Sequence, residues 1–87
     1  MKDYYKIIWK DSARKELKSL PKKQIALIVA KIDALAHNPF PHGSVKLANS
    51  ENSYRIRSGV YRVIYSVFEE ILTVEIVRVK HRKDIYR

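Results

Sequence analysis

Three arginines, Arg55, Arg57 and Arg62, punctuate the stretch YRIRSGVYRVIY between Tyr54 and Tyr65. If Ser58-Gly59 forms a two-residue hairpin turn, Arg57 pairs with Val60, Ile56 with Tyr61 and Arg55 with Arg62. All three arginines then share one face, while Tyr54, Ile56, Tyr61 and Val63 share the other. A turn at Gly59-Val60 re-pairs the residues and leaves the faces unchanged. Directly opposed like charges cost stability, and no acidic residue lies between Tyr54 and Phe68 to relieve them. Planar, always charged and bidentate, guanidinium groups are the natural clamps for phosphate, so the chemistry this face suggests is binding a phosphodiester and stabilising charge that builds on it.

Groups able to move a proton stand in the closing stretch VRVKHRKDIYR. Arginines cannot exchange protons near neutral pH. His81 can, and a neighbouring cationic cluster is expected to hold its pKa below the ordinary value of about 6.5. Tyr86 is the second candidate, since surrounding positive charge makes a phenol of ordinary pKa near 10 more acidic. The plainer reading of Tyr86 is a ring packed on the sheet edge. Ile85 is expected to pin this segment, with Lys80, His81, Arg82 and Tyr86 forming the rim of a cationic concavity.

The overall charge agrees with a polyanionic partner. Eighteen Lys and Arg against nine Asp and Glu give a formal charge of +9, and each neutralised phosphate releases condensed counterions. Other chemistries find little support. His37, His42 and His81 lack metal-ligand spacing and there is no cysteine, so neither a zinc site nor a disulfide is expected. Gly43 and Gly59 are the only glycines, which leaves no phosphate-cradling loop, and no cofactor is expected. With 87 residues, the chain reads as one domain over 1–87. The apolar run from Ile25 to Ala36 is interrupted by Lys31 and Asp33 and is too short to span a membrane. The absence of cysteines and of an apolar leader leads us to expect a cytoplasmic protein.

These residues need a scaffold, and the hydrophobic periods describe one. Lys2 to Trp9 reads as a strand with Tyr5, Ile7 and Trp9 on one side. Asp11 offers an N-cap to a helix whose stripe is Ala13, Leu17 and Leu20 and whose wet face is Arg14, Lys15 and Lys18. Pro21 suits the first turn of a second helix, striped by Ile25, Ile28, Val29, Ile32, Leu35 and Ala36 and ending before Asn38-Pro39. Residues 38–52 read as loop, anchored by Val45 and Leu47. Three strands follow, near Ser53 to Ser58, Val60 to Phe68 and Ile71 to Val79, the last two joined by a Glu69-Glu70 turn. Alternation on the last strand puts Leu72, Val74 and Ile76 on the core and Thr73, Glu75 and Val77 beside the arginines. The class is α+β: an N-terminal strand, a helical hairpin, then antiparallel strands in one sheet with the helices on one face.

Through LPKKQIALIVAKIDAL followed by a proline, YRIRSGVYRVIYSV, and VKHRKDIYR, the chain resembles the RelE/ParE superfamily of toxins from type II toxin-antitoxin systems. The resemblance covers nearly the whole chain and implies a compact, microbial-ribonuclease-like fold. It implies a toxin that cleaves messenger RNA in the ribosomal A site without a metal, the RNA's own 2′-hydroxyl attacking the adjacent phosphate. By position, Arg55 and Arg57 match basic residues of the second strand in the RelE branch, Arg62 a phosphate-stabilising arginine and Tyr86 a catalytic tyrosine. Lys80, His81 and Arg82 fall around the remaining basic catalytic position, and which of them occupies it stays open. Lys80, Arg82, Lys83 and Lys46 are expected to bind RNA. The implied partners are an antitoxin, the ribosome and mRNA. Val60 departs from the polar or acidic turn residue that relatives often carry. Since the ParE branch of the same fold inhibits DNA gyrase without nuclease chemistry, a gyrase inhibitor is the alternative, and a non-catalytic RNA-binding module a third reading.

Overall fold

Tyr5, Ile7 and Trp9 turn inward and Lys6 and Ile8 outward, the period-2 alternation of a strand with one buried face. This strand, β1 (Lys6–Trp9), opens a computed structural model that describes residues 4–85. Of the strand expected from Lys2, residues 2 and 3 lie outside those described, and Tyr4 and Tyr5 precede the strand instead of joining it. Two helices follow, α1 (Asp11–Lys18) and α2 (Lys22–Ala34), and then β2 (Val45–Lys46), β3 (Ser53–Ser58), β4 (Tyr61–Phe68), a short 3₁₀ turn (Glu69–Ile71) and β5 (Thr73–His81). The strands form one mixed sheet in the order β1-β5-β4-β3-β2, with β1 parallel to β5 and the other neighbours antiparallel. Both helices pack on one face, so the architecture is the expected α+β arrangement.

The buried core draws Ala13 and Leu17 from α1, Ile28 and Ile32 from α2, and Leu35 from its end. Ile56, Val63, Tyr65, Val67, Val74, Ile76 and Val79 meet them from the sheet. The break between the helices falls where Pro21 predicts it, and the Pro21 carbonyl accepts the amides of Gln24 and Ile25 at 2.9 and 3.0 Å. Tyr65 fastens the following loop to this core. Its hydroxyl, wholly inside, donates to the Pro39 carbonyl at 2.7 Å, and burial pushes its pKa from 10.0 up to about 12.

Four local readings need correction. Lys10, not Asp11, holds the N-cap position of α1 and makes no side-chain capping bond; Asp11 occupies the first turn, where its carboxylate meets the positive end of the helix dipole. Val45 is no anchor, because it is 44% exposed and belongs to the two-residue strand β2, too short to leave a periodic signal. The Glu69-Glu70 turn is a 3₁₀ turn closed by Leu72 in the left-handed region (φ 45°), which delays β5 to Thr73. The last correction concerns alternation along β5. A bulge interrupts the β4–β5 ladder: Ile64 faces Arg78, while Tyr65 faces Ile76. Val77 is the extra residue, so the faces exchange there. Val79 enters the core, and Arg78 and Lys80 join the face of the arginines.

Candidate functional site

The hairpin adopts the second of the two registers. Ser58 pairs with Tyr61 around Gly59-Val60, and Arg57 stands directly opposite Arg62. Gly59 takes a φ of +60°, which a residue with a Cβ adopts only with strain. Arg55 pairs with Ile64 instead of Arg62 but remains on the same face. Beyond Arg62 the ladder continues to Lys80 on β5. A row of three cations, Arg57, Arg62 and Lys80, therefore crosses three adjacent strands. Strands lie roughly 4.8 Å apart, so the charged groups are neighbours unless their side chains splay. A second row, Arg55, Ile64 and Arg78, runs beside it.

Local contacts hold these side chains. Nη1 of Arg62 donates to the carbonyls of Gly59 and Tyr61, each at 3.2 Å, keeping its half-buried guanidinium over the hairpin turn. Arg57 is exposed, and its carbonyl accepts Nζ of Lys31 from α2 at 2.7 Å. On β5 the counterpart is Glu16 of α1. Oε1 accepts the amide of Val79 at 2.9 Å, and Oε2 lies 3.6 Å from both Arg78 Nη2 and Lys80 Nζ. Each helix thus sends one charged side chain to a sheet-edge backbone group that the short strands β1 and β2 leave without a ladder partner.

The closing segment is ordered as far as it is described. Arg82 donates its amide to the Val60 carbonyl at 2.7 Å and Asp84 donates to the His81 carbonyl at 2.8 Å. Nη1 of Arg78 donates to the Ile85 carbonyl at 3.2 Å. Ile85 is 2% exposed, which fits the pin expected of it, although it stands apart from the main core. Tyr86 lies outside the described residues.

Not every expected residue joins the row. His81 pairs with Tyr61 and so projects on the helix side of the sheet, edge-on to the Tyr61 ring at 5.7 Å. Its Nδ1 accepts the Lys83 amide at 3.1 Å, so the neutral ring would carry its proton on Nε2. There it lines a groove of about 310 Å³ with Glu16, Leu20, Tyr61 and Asp84, and Lys80, drawn to Glu16 at the sheet edge, lines the same groove. Lys46 pairs with Tyr54 and is likewise turned from the arginines. Arg82 and Lys83 are exposed in the turn after β5. Glu16 and Arg78 escaped the sequence reading. A single acid bordering the buried stripe of a basic helix was the available signal for the first, and the adjacent apolar pair Ile76-Val77, which breaks strict alternation, for the second.

Among the described residues, no group of three or more His, Cys, Asp or Glu side chains is placed to share a metal ion. Among them, too, no helix is long and apolar enough to cross a membrane.

Comparison with known proteins gives a consistent picture. The family model described as the ParE toxin of the type II toxin-antitoxin system, parDE, matches residues 7–86. Toxin RelG of Mycobacterium tuberculosis is 33% identical over 84 residues, covering 95% of this chain and 97% of RelG. The archaeal RelE-RelB complex from Pyrococcus horikoshii contains a similar chain with a TM-score of 0.82 and 31% identity, over 93% of this chain and 98% of that one. The RelBE2 toxin-antitoxin complex of M. tuberculosis contains another, with a TM-score of 0.80 and 30% identity, over 93% and 94% of the two chains.

Proposed function

Because the chain belongs to the RelE/ParE superfamily of type II toxins, we propose that it is a ribosome-dependent messenger RNA endoribonuclease. The observation that carries this reading is the row of Arg57, Arg62 and Lys80 across one sheet face. Its two arginines stand in a hairpin with no acidic residue of its own, so the face presents adjacent cations to a polyanion.

In the proposed reaction the 2′-oxygen of the RNA bonds to the adjacent phosphorus and the bond from phosphorus to the 5′-oxygen breaks. Tyr86 takes the 2′-hydroxyl proton, and a cationic residue supplies a proton or hydrogen bond to the departing 5′-oxygen. Arg62, central in the row and fixed over the turn carbonyls, stabilises the charge gathering on the non-bridging oxygens, while Arg55 and Arg57 hold flanking phosphates. Of the three residues considered for the leaving oxygen, Lys80 is favoured, because it stands directly opposite Arg62 in the ladder, whereas His81 stands opposite Tyr61. Arg82 and Lys83 extend the basic surface.

The partner that restrains this activity is proposed to be a cognate antitoxin with an acidic and apolar segment that folds on binding. Two of the similar structures are toxin-antitoxin complexes, which supports that reading. A second function keeps support from the name of the matching family model, the ParE toxin: inhibition of DNA gyrase with no RNA chemistry. Induced expression followed by mapping of messenger RNA 5′ ends separates the two. Cuts in register with the reading frame are expected, whereas intact RNA with DNA damage would replace the nuclease reading with the gyrase one.

A further inference from the structure

The carboxylate of Glu16 stands where a strand is missing. β1 ends at Trp9, opposite Ile76, and its last link to β5 is the Lys10 amide donating to the Ile76 carbonyl at 3.0 Å. Past that point the outer edge of β5 continues to His81 without β1 beside it. The Val79 amide opens onto this edge, and Glu16 accepts it at 2.9 Å with Oε1. The second oxygen, Oε2, meets Lys80 Nζ and Arg78 Nη2, each at 3.6 Å. Arg78 passes the contact on, since its Nη1 donates to the Ile85 carbonyl at 3.2 Å.

We propose that Glu16 is a positioning residue for the basic face: it holds Lys80 at the end of the cation row and, through Arg78, fixes the point from which the chain leads into Tyr86. The role of the site rests on the nuclease reading given above. The positioning itself does not. Three features favour it over a surface ion pair formed in passing. The carboxylate is tied by a directional backbone hydrogen bond as well as by charge, so its place does not depend on the two cations alone. Its side chain is 20% exposed, whereas the basic neighbours Arg14, Lys15 and Lys18 on the same helix face water. It also supplies negative charge at the end of a row whose hairpin has none. Without that charge, repulsion within the row would drive Lys80 outward, and Arg78 would lose its contact with α1.

The informative substitution is Glu16→Gln, which keeps an oxygen for the Val79 amide and nearly the same volume while removing the charge. Protection of the Val79 amide against hydrogen exchange should survive in it, and the melting temperature should stay within a few degrees of the parent. Carboxypeptidase should trim the C-terminus of the free, full-length protein faster, and the backbone amide signals of residues 83–86 should shift. On programmed ribosomes KM should hold or fall, because the face becomes more positive. At the same time kcat should drop about 10- to 100-fold, the order that small misplacement of catalytic groups costs.

Unchanged trimming and unchanged amide signals in Glu16→Gln would overturn the proposal. So would a loss of activity matched by a loss of the folded fraction, as a purely structural role requires. Should the parent fail to cut RNA, the nuclease reading falls, and the trimming and amide measurements still decide whether Glu16 positions the tail.

Discussion

Replacing Arg62 with alanine should leave the fold intact and remove most of the proposed cleavage, and the structure indicates why the two effects separate. Arg62 stands between Arg57 and Lys80, so truncation relieves two cross-strand repulsions, each worth roughly 0.2–1 kcal/mol. Against this, two hydrogen bonds to the Gly59 and Tyr61 carbonyls are lost, each worth about 0.5–1.5 kcal/mol net, and less here because both are long and the site is partly wet. Between the repulsions and these two hydrogen bonds the balance is small. The melting temperature should therefore move by only a few degrees, since about 1 kcal/mol corresponds to roughly 4–8 °C in a domain of this size. Loss of one preorganised donor to a developing oxyanion typically costs about a hundredfold to a thousandfold in rate. Single-turnover cleavage on programmed ribosomes, measured beside a thermal melt, reads both quantities. Arg62→Lys should recover part of the rate, because it restores the charge without the planar fork. A folded Arg62→Ala variant that cuts at the parental rate would remove this residue from the mechanism, and a melt lowered enough to explain the loss would show that Arg62 is needed for the fold.

Tyr86→Phe should bind ribosomes nearly as well as the parent and cut about a hundredfold to ten-thousandfold more slowly, the usual effect of removing a positioned acid or base; parental cleavage by this variant would reduce the tyrosine to a packing role. Stability should fall between about pH 10 and pH 12, because the unfolded chain ionises Tyr65 near 10.0 while the buried hydroxyl holds its proton up to about 12. Fully protonated in both states below that window, the group loses at most about 3 kcal/mol of stability across it, and denaturant titrations should show Tyr65→Phe lacking this part of the slope. The rate of association with an antitoxin should decline as salt rises, as expected when a cationic face attracts an acidic segment. Stopped-flow rates that ignore ionic strength would mean the antitoxin meets another surface.

Much of this scaffold can be read from periodicity, and the exceptions have physical causes. The arginine face was legible because either two-residue turn around Gly59 keeps Arg55, Arg57 and Arg62 on one side; the register between them was not, since both turns satisfy the same pattern. Strict alternation beyond Ile76 failed because a bulge is one residue long and costs the pattern only a pair of adjacent apolar residues. That one residue decided the fate of Arg78 and Lys80. The placement of His81 on the helix side follows from the same shift. Glu16 was illegible for another reason. Its partners lie more than sixty positions away in the chain, and no local rule predicts a carboxylate reaching an edge amide.

The parallel pairing of β1 with β5 also bears on when this protein becomes competent. Lys6 meets Thr73 and Trp9 meets Ile76, so the first described strand can take its place only after nearly all of the chain exists. Contacts of such long sequence separation slow folding, because the entropy of closing a large loop is lost before the contacts form. The hairpin from Ser53 to Phe68 can assemble locally, yet Lys80, the third member of the row, arrives with β5. A nascent chain emerging from its own ribosome is therefore without the complete basic row until synthesis has passed β5, an interval in which a partner made beforehand could already be waiting.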